Sequence, residues 1–181
     1  MNSKERIRKI IAGEKPDRCG FWLGNPDPAS WPLYFEYFNL NTAEQVRKKL
    51  NDDFRWVCPQ WELDCYKHPQ GREMFDLGLG EKDSLSQAGP LADAQSLSDI
   101  NAYDWPDAKY LDFGQWKDKL KGLEEFYIAS GFWCCFYHNL MDLFGIESYL
   151  MNMMTKPELI HAATDRVCRF YYNANEKFYE T

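Results

Sequence analysis

The scarcity of β-branched aliphatic residues limits this chain more than any other feature. Its 181 residues hold only 7 Ile and 3 Val. Parallel strands buried on both faces read as runs rich in Val and Ile, and so small a supply cannot build many of them. Either the chain is mostly helical or it holds only part of a larger sheet. Disorder is excluded, because 45% of the residues are apolar and 17% aromatic, enough to form a core. The charge balance of 21 Lys+Arg against 28 Asp+Glu, a net −7, repels phosphate backbones and argues against nucleic-acid binding. The longest apolar run, Phe132–Tyr137, falls far short of the ~18–20 residues of a membrane helix. Met1-Asn-Ser-Lys-Glu-Arg6 leads into no apolar segment of the kind a secretory signal needs. A cytoplasmic protein with no membrane partner is the expectation. Its six cysteines (Cys19, Cys58, Cys65, Cys134, Cys135 and Cys168) are expected to be reduced thiols.

Periodicity divides the chain into elements. Ile7, Ile10 and Ile11 fall at i, i+3, i+4 and predict a helix over Ser3–Gly13, capped by Ser3. Cys19–Leu23 reads as a short buried strand, ended by Gly24-Asn-Pro-Asp-Pro28. Trp31–Phe38 reads as an aromatic helix, and Thr42-Ala-Glu-Gln45 has the capping-box spacing that opens another, running to Leu50. Phe54–Cys58 is the second strand candidate. Residues 62–95 break the rhythm, with Arg72–Gly80 and Ser84–Ala88 as two arms of a hairpin or excursion. A short helix begins at Ser96, and Asp112–Lys121 reads as a helix with Phe113, Trp116 and Leu120 on its apolar side. Glu125–Ser130 is the third strand candidate. Cys135–Met154 is helical with a break near Gly145. Thr155-Lys-Pro-Glu158 opens a final helix whose stripe is Leu159, Ile160, Ala163, Val167, Phe170, Tyr171, Ala174 and Phe178. Three strands alone leave a parallel edge open, and little chain remains to cover the last helix. The expectation is an incomplete domain.

Several segments carry a family resemblance. Ser3-Lys-Glu-Arg-Ile7, Gly13-Glu-Lys-Pro-Asp-Arg18, Ala88-Gly-Pro-Leu-Ala-Asp93, Tyr103-Asp-Trp-Pro-Asp107, and Leu143-Phe-Gly-Ile-Glu147 with Leu150, Met151 and Thr155–Glu158 resemble the uroporphyrinogen decarboxylase-like superfamily in order and spacing. The resemblance spans nearly the whole chain. It implies an α/β fold, the N-terminal portion of a (β/α)8 TIM-type barrel with an N-terminal helical cap. Residues 1–181 would then form one incomplete barrel domain, since such barrels take ~250 residues.

That superfamily implies two chemistries: decarboxylation of uroporphyrinogen without a metal, and methyl transfer between a corrinoid and a thiol with zinc on a His-x-Cys…Cys set. The metal set belongs to the C-terminal half of the pattern and has no match here, so zinc and a corrinoid are expected of the complete enzyme, not of this half. Uroporphyrinogen carries eight carboxylates and needs cations. Where decarboxylases have Arg-Gln-Ala-Gly-Arg, this chain has Trp22-Leu-Gly-Asn-Pro-Asp27. Pro59-Gln60 stand where decarboxylases have an essential Asp, and His138, with Tyr137 beside it, stands at their Tyr. The departures favour the methyltransferase branch or an uncharacterised relative, with a tetrapyrrole or methyl-donor substrate.

Chemistry in such barrels sits at the C-terminal ends of strands. The resemblance therefore singles out Tyr137 and His138 as catalytic candidates, since a His titrates near neutrality, and Trp22, Asn25, Asp27, Gln60, Trp61 and Trp133 as substrate contacts. Each has a plainer alternative: Asn25 and Asp27 as turn caps, Trp61 as core. Cys134-x3-His138 and Cys65-x2-His68 supply two ligands each where zinc needs three or four, so no metal site is assigned, and the second pair reads as coincidence. His161 is read as structural and Arg47-Lys-Lys49 as a solvated helix end. The alternative of another class is a non-catalytic half-barrel that covers its open edge by dimerising or by pairing with a complementary C-terminal half. In either case the isolated chain is expected to be inactive.

Overall fold

The computed structural model describes residues 1–75 and 87–181, the side chains of Trp61 and Glu62 excepted. The chain forms two compact units, each assembled from two stretches: residues 1–57 with 115–130, and residues 58–114 with 131–181.

The first unit holds the sheet. Strands β1 (Phe54–Val57) and β2 (Tyr127–Ser130) pair in parallel, with Phe54 opposite Tyr127 and Val57 opposite Ser130. Helix α1 (Ser3–Ile11) is tied to the approach to β2 by its Lys4 N–H, which donates to the Glu125 carbonyl at 3.0 Å. Its cap is Asn2 rather than Ser3: Asn2 and Glu5 exchange side-chain bonds with each other's backbone N–H, a capping box one residue earlier than the stripe suggests. Helices α2 (Trp31–Phe38) and α3 (Ala43–Lys49) form where the sequence places them, α3 opened by the Thr42–Gln45 box.

The barrel expectation fails here. Among the described residues the sheet has two strands, not the opening strands of a (β/α)8 barrel. Cys19–Leu23, expected as the first strand, has no ladder. Its donors go to carboxylates instead: the Phe21 N–H to Asp53 Oδ2 at 2.9 Å and the Leu23 N–H to Asp52 Oδ2 at 3.2 Å. Asp52 and Asp53 are both fully buried, and their side chains compete successfully for N–H groups that a sheet would have used. The shortage of Val and Ile is met by helix.

The same two aspartates organise the unit's charges. Asp53 accepts from Arg6 Nη1 at 2.6 Å and from Arg18 at 2.7 and 2.8 Å. Arg6 also holds Asp17 at 2.6 Å, and Arg47 holds Asp52 at 2.8 Å. Arg47 is therefore part of a buried network, not a solvated helix end. Gly13–Arg18, one segment of the family resemblance, supplies two members of it.

The second unit is helical. It contains α4 (Pro59–Glu62), α5 (Leu97–Ala102), α7 (Phe136–Phe144), α8 (Ile146–Thr155) and α9 (Pro157–Tyr179); α6 (Trp116–Lys119) belongs to the first unit. All eight stripe residues of α9 are buried. Helices α5, α7 and α8 and the 3-10 turn at Ala108–Tyr110 pack on α9, so its apolar face is covered from within the chain. Lys177 fastens the turn by donating to the carbonyls of Ala108 and Leu111 at 3.2 and 2.7 Å.

Local differences from expectation have local causes. Thr155 does not cap α9; its hydroxyl donates back to the Met151 carbonyl at 2.9 Å, which lets α8 run on to Thr155. The helix expected over Asp112–Lys121 shrinks to α6, because the Asp112 carboxylate accepts from the Gly114 N–H at 2.9 Å and holds an Asx turn. Gly145, at φ +76°, separates α7 from α8. Gly89 lets two segments of the resemblance meet: a Cβ there would lie 2.1 Å from the Asp142 carbonyl oxygen, and Leu91 N–H donates to the Leu143 carbonyl at 2.8 Å. The tips of the expected hairpin, residues 76–86, lie outside the described residues. Among those described, no helix is long and apolar enough to cross a membrane.

Candidate functional site

Gln60 follows β1 by three residues and sits in α4, where Pro59 at the first helical position fixes the turn. Its Nε2 donates to the phenol oxygen of Tyr171, on α9, at 3.4 Å. The Tyr171 hydroxyl donates to Asn139 Oδ1 at 3.0 Å. Cys135 Sγ donates to the same Asn139 oxygen at 3.3 Å and lies 3.4 Å from the phenol. Tyr171 is 1% exposed. Burial pushes its phenol far above the usual range, and the Cys135 contact adds to the push. It therefore stays protonated at any physiological pH and relays hydrogen bonds rather than protons. The Gln60 Oε1 is left buried with no hydrogen-bond partner among the described residues. An acceptor in that state costs about 1–3 kcal/mol, and such groups ask for an explanation.

A cavity of about 580 Å³ adjoins it, lined among others by Gln60, Leu63, Cys65, Tyr66, His68 and Arg72. That volume suits a small organic ligand. The His68 ring stacks on Tyr66 with centroids 6.3 Å apart and meets the edge of Tyr110 at 4.7 Å. Its Nδ1 accepts from the Gln70 N–H at 3.2 Å, which leaves the proton of the neutral ring on Nε2. Cys65 donates to the Pro59 carbonyl at 3.4 Å, and burial pushes its thiol up to about 11. It is a neutral wall residue, not a nucleophile. The cavity's cations are balanced: Arg72 pairs with Asp104 at 2.7 Å and Lys67 with Asp64. Cys65 and His68, read as a coincidental pair, thus share one wall, although no group of three His, Cys, Asp or Glu that could hold a metal exists among the described residues.

The other sequence-derived candidates are less concentrated. Tyr137 and His138 are exposed on the first turn of α7, where their rings meet edge to face, and Tyr137 also packs on Tyr149. Trp133, 53% exposed, precedes them. It is the neighbours Cys135 and Asn139, not Tyr137 or His138, that join Gln60 through Tyr171. Trp22, Asn25 and Asp27 belong to the other compact unit. Trp22 stacks on Trp56 at 6.1 Å, and Asp27 caps the turn at Pro28 by accepting from the Ala29 N–H at 2.8 Å, as the plainer alternative has it. Asn25 is exposed. Trp61 lies in α4, and its side chain is outside the described residues. Sequence reasoning placed Cys135 in the cluster after the third strand candidate but missed Tyr171 and Asn139. One signal was present: a tyrosine in an otherwise apolar helical stripe must find a partner for its hydroxyl once buried.

Comparison with protein-family models, curated proteins and solved structures gives no match to this chain.

Proposed function

We propose that the chain binds a small hydrogen-bond-donating molecule in the cavity beside Gln60, as the pocket-forming part of an enzyme that transfers methyl groups to or from a corrinoid. The observation behind the pocket is the cavity of about 580 Å³ with Gln60 in its wall; the Gln60 Oε1 is buried with no hydrogen-bond partner among the described residues, and a turn of the amide toward the cavity would let a ligand N–H or O–H satisfy it. The choice of chemistry rests on the family resemblance and on the cavity's charges. Both flanking cations are already paired, which disfavours a ligand with eight carboxylates and ranks uroporphyrinogen decarboxylation second. Neither cofactor of the methyltransferase branch fits the described residues: no three metal ligands converge, and a cavity of about 580 Å³ does not enclose a corrinoid. On this reading other residues hold those groups, this chain holds the small methyl-bearing substrate, and the protein works in the cytoplasm.

Saturation-transfer NMR with methylated amines and methoxy alcohols, run against uroporphyrinogen, tests the proposal. The expected result is binding of a methyl compound that Gln60→Leu weakens at least tenfold without lowering the melting temperature, since the variant also removes an unsatisfied acceptor. Tighter binding of uroporphyrinogen reverses the order of the two chemistries. Binding of neither class, or unchanged binding by the variant, refutes the pocket.

One observation favours a non-catalytic assembly role instead. Leu33 and Tyr37, four residues apart on α2 and so neighbours on one helix face, are 68% and 82% exposed. Exposed apolar groups of this kind mark contact surfaces when they are contiguous. Light scattering that finds a monomer at micromolar concentration removes this reading.

A further inference from the structure

Helix α1 and strand β2, both in the first unit, border a groove of about 420 Å³ lined by Lys4, Arg8, Ile11, Ala12, Tyr127 and Ile128. Lys4 and Arg8 stand four residues apart and so share one face of the helix, where like charges repel. Lys4 also lies in the first turn, at the positive end of the helix dipole. Neither side chain is in an ion pair among the described residues, although the chain carries 28 Asp+Glu against 21 Lys+Arg. Glu124 accepts from the Gly122 N–H at 3.0 Å and forms no ion pair with Lys4. Two cations are thus set side by side against their local electrostatics, next to the exposed Ile11. The other wall adds backbone groups. The Tyr127 N–H donates to the Asp53 carbonyl at 2.9 Å, so residue 127 turns its backbone toward β1. Alternation turns the Ile128 N–H and C=O the other way, to the side of β2 that carries no strand among the described residues. Neither group has a hydrogen-bond partner among the described residues.

We propose that this groove binds an extended acidic peptide, which adds to the open edge of β2 as a third strand and sets its carboxylates on Lys4 and Arg8. An unpaired strand edge is a template for another strand, and main-chain bonds to Ile128 would hold the peptide backbone. Charge then selects the sequence. Carboxylates on alternate residues of a strand share one face about 6–7 Å apart. Side chains one helical turn apart, as Lys4 and Arg8 are, have Cβ atoms about 5–6 Å apart, so two such carboxylates match the two cations. The groove carries no acidic side chain of its own, and Ile11 offers apolar contact beside the charges. Gln60 belongs to the other compact unit, so the proposal does not depend on which ligand that cavity takes.

The test titrates the isotope-labelled full chain with an acetylated, amidated hexapeptide that alternates valine and aspartate, followed by amide NMR and hydrogen exchange. The expected result is shifts confined to the amides of α1 and β2, with exchange at the Ile128 amide slowed about tenfold or more. Binding should weaken as salt is added. Lys4→Ala combined with Arg8→Ala should weaken it about tenfold without lowering the melting temperature, since alanine suits both helix positions and the Lys4 N–H bond to Glu125 remains. Four results overturn the proposal: no binding at millimolar peptide, equal binding of the valine–lysine counterpart, binding that leaves Ile128 exchange unchanged, or the same shifts from succinate alone, which would make the groove a site for a small carboxylate. Shifts that follow protein concentration without peptide also overturn it, by placing a second copy in the groove. Exchange at Ile128 in the wild-type chain decides the matter even where the double variant folds poorly.

Discussion

Asp53 is the residue whose replacement most directly measures what holds the first unit together. Its carboxylate is fully buried and accepts four hydrogen bonds. Oδ1 takes one from Arg6 and one from Arg18; Oδ2 takes one from Arg18 and one from the Phe21 N–H. In Asp53→Asn the amide must place its NH2 on one side or the other. Either way it faces two donors, so no rotation of the amide restores the network. Two guanidiniums also lose their shared counter-charge. Removing one partner of a buried ionic cluster costs about 3–5 kcal/mol. At roughly 2–4 °C per kcal/mol for a chain of this length, the melting temperature should fall by about 6–20 °C. Circular dichroism melts at pH 7 measure this, with Asp107→Asn as the control. Asp107 forms an exposed pair with Lys109, and surface changes of that kind stay within about 0.5 kcal/mol. If Asp53→Asn melts within about 2 °C of the wild type, the network contributes no net stability. The account of why Cys19–Leu23 is not a strand then loses its energetic basis.

Two further expectations follow from the same structure. Burial pushes the Asp53 carboxyl up, but Arg18, the Phe21 N–H, Ser3 and Arg6 together outweigh it and hold it below the usual carboxylate range; Arg6 does the same for Asp17. A depressed carboxylate stabilises the fold fully above its unfolded value of about 3.9 and loses that contribution as pH falls through the folded value. Melting temperatures should therefore hold from neutrality to about pH 4 and drop below it, and more steeply in the wild type than in Asp53→Asn; equal slopes contradict the assignment. In the second unit, Gly89→Ala would place a Cβ 2.1 Å from the Asp142 carbonyl oxygen and 2.2 Å from that of Leu143. Backbone atoms cannot rotate aside, so urea unfolding should show a loss of about 1–3 kcal/mol at unchanged slope; an unshifted midpoint would mean the two segments do not touch.

Much of the helical content was legible because its causes are local. Trp31–Phe38 appears as α2 with those bounds, the Thr42–Gln45 box opens α3, and a helix, α5, does begin after Ser96. The stripe on α9 is buried residue for residue. Caps and periodicity involve partners three or four residues apart, and a sequence displays such pairs directly. Of the candidate site, Gln60 was legible as a polar residue just past a strand. The remainder was not: its partner Tyr171 stands 111 residues away and reads as one more apolar position in a helix.

By itself, then, the sequence determined most of the longer helices, the caps at Thr42 and Ser96, the two strands that did form, and the break at Gly145. Only the tertiary structure decided that Cys19–Leu23 gives its N–H groups to Asp52 and Asp53 rather than to a ladder, which turned an expected barrel opening into a two-stranded sheet. It likewise decided that the face of α9 is covered from within and that Gln60 meets Tyr171. The physical reason is the same in each case. An apolar face, like a buried donor or acceptor, takes whichever partner the packed chain brings within reach, and that choice is made between residues far apart in sequence.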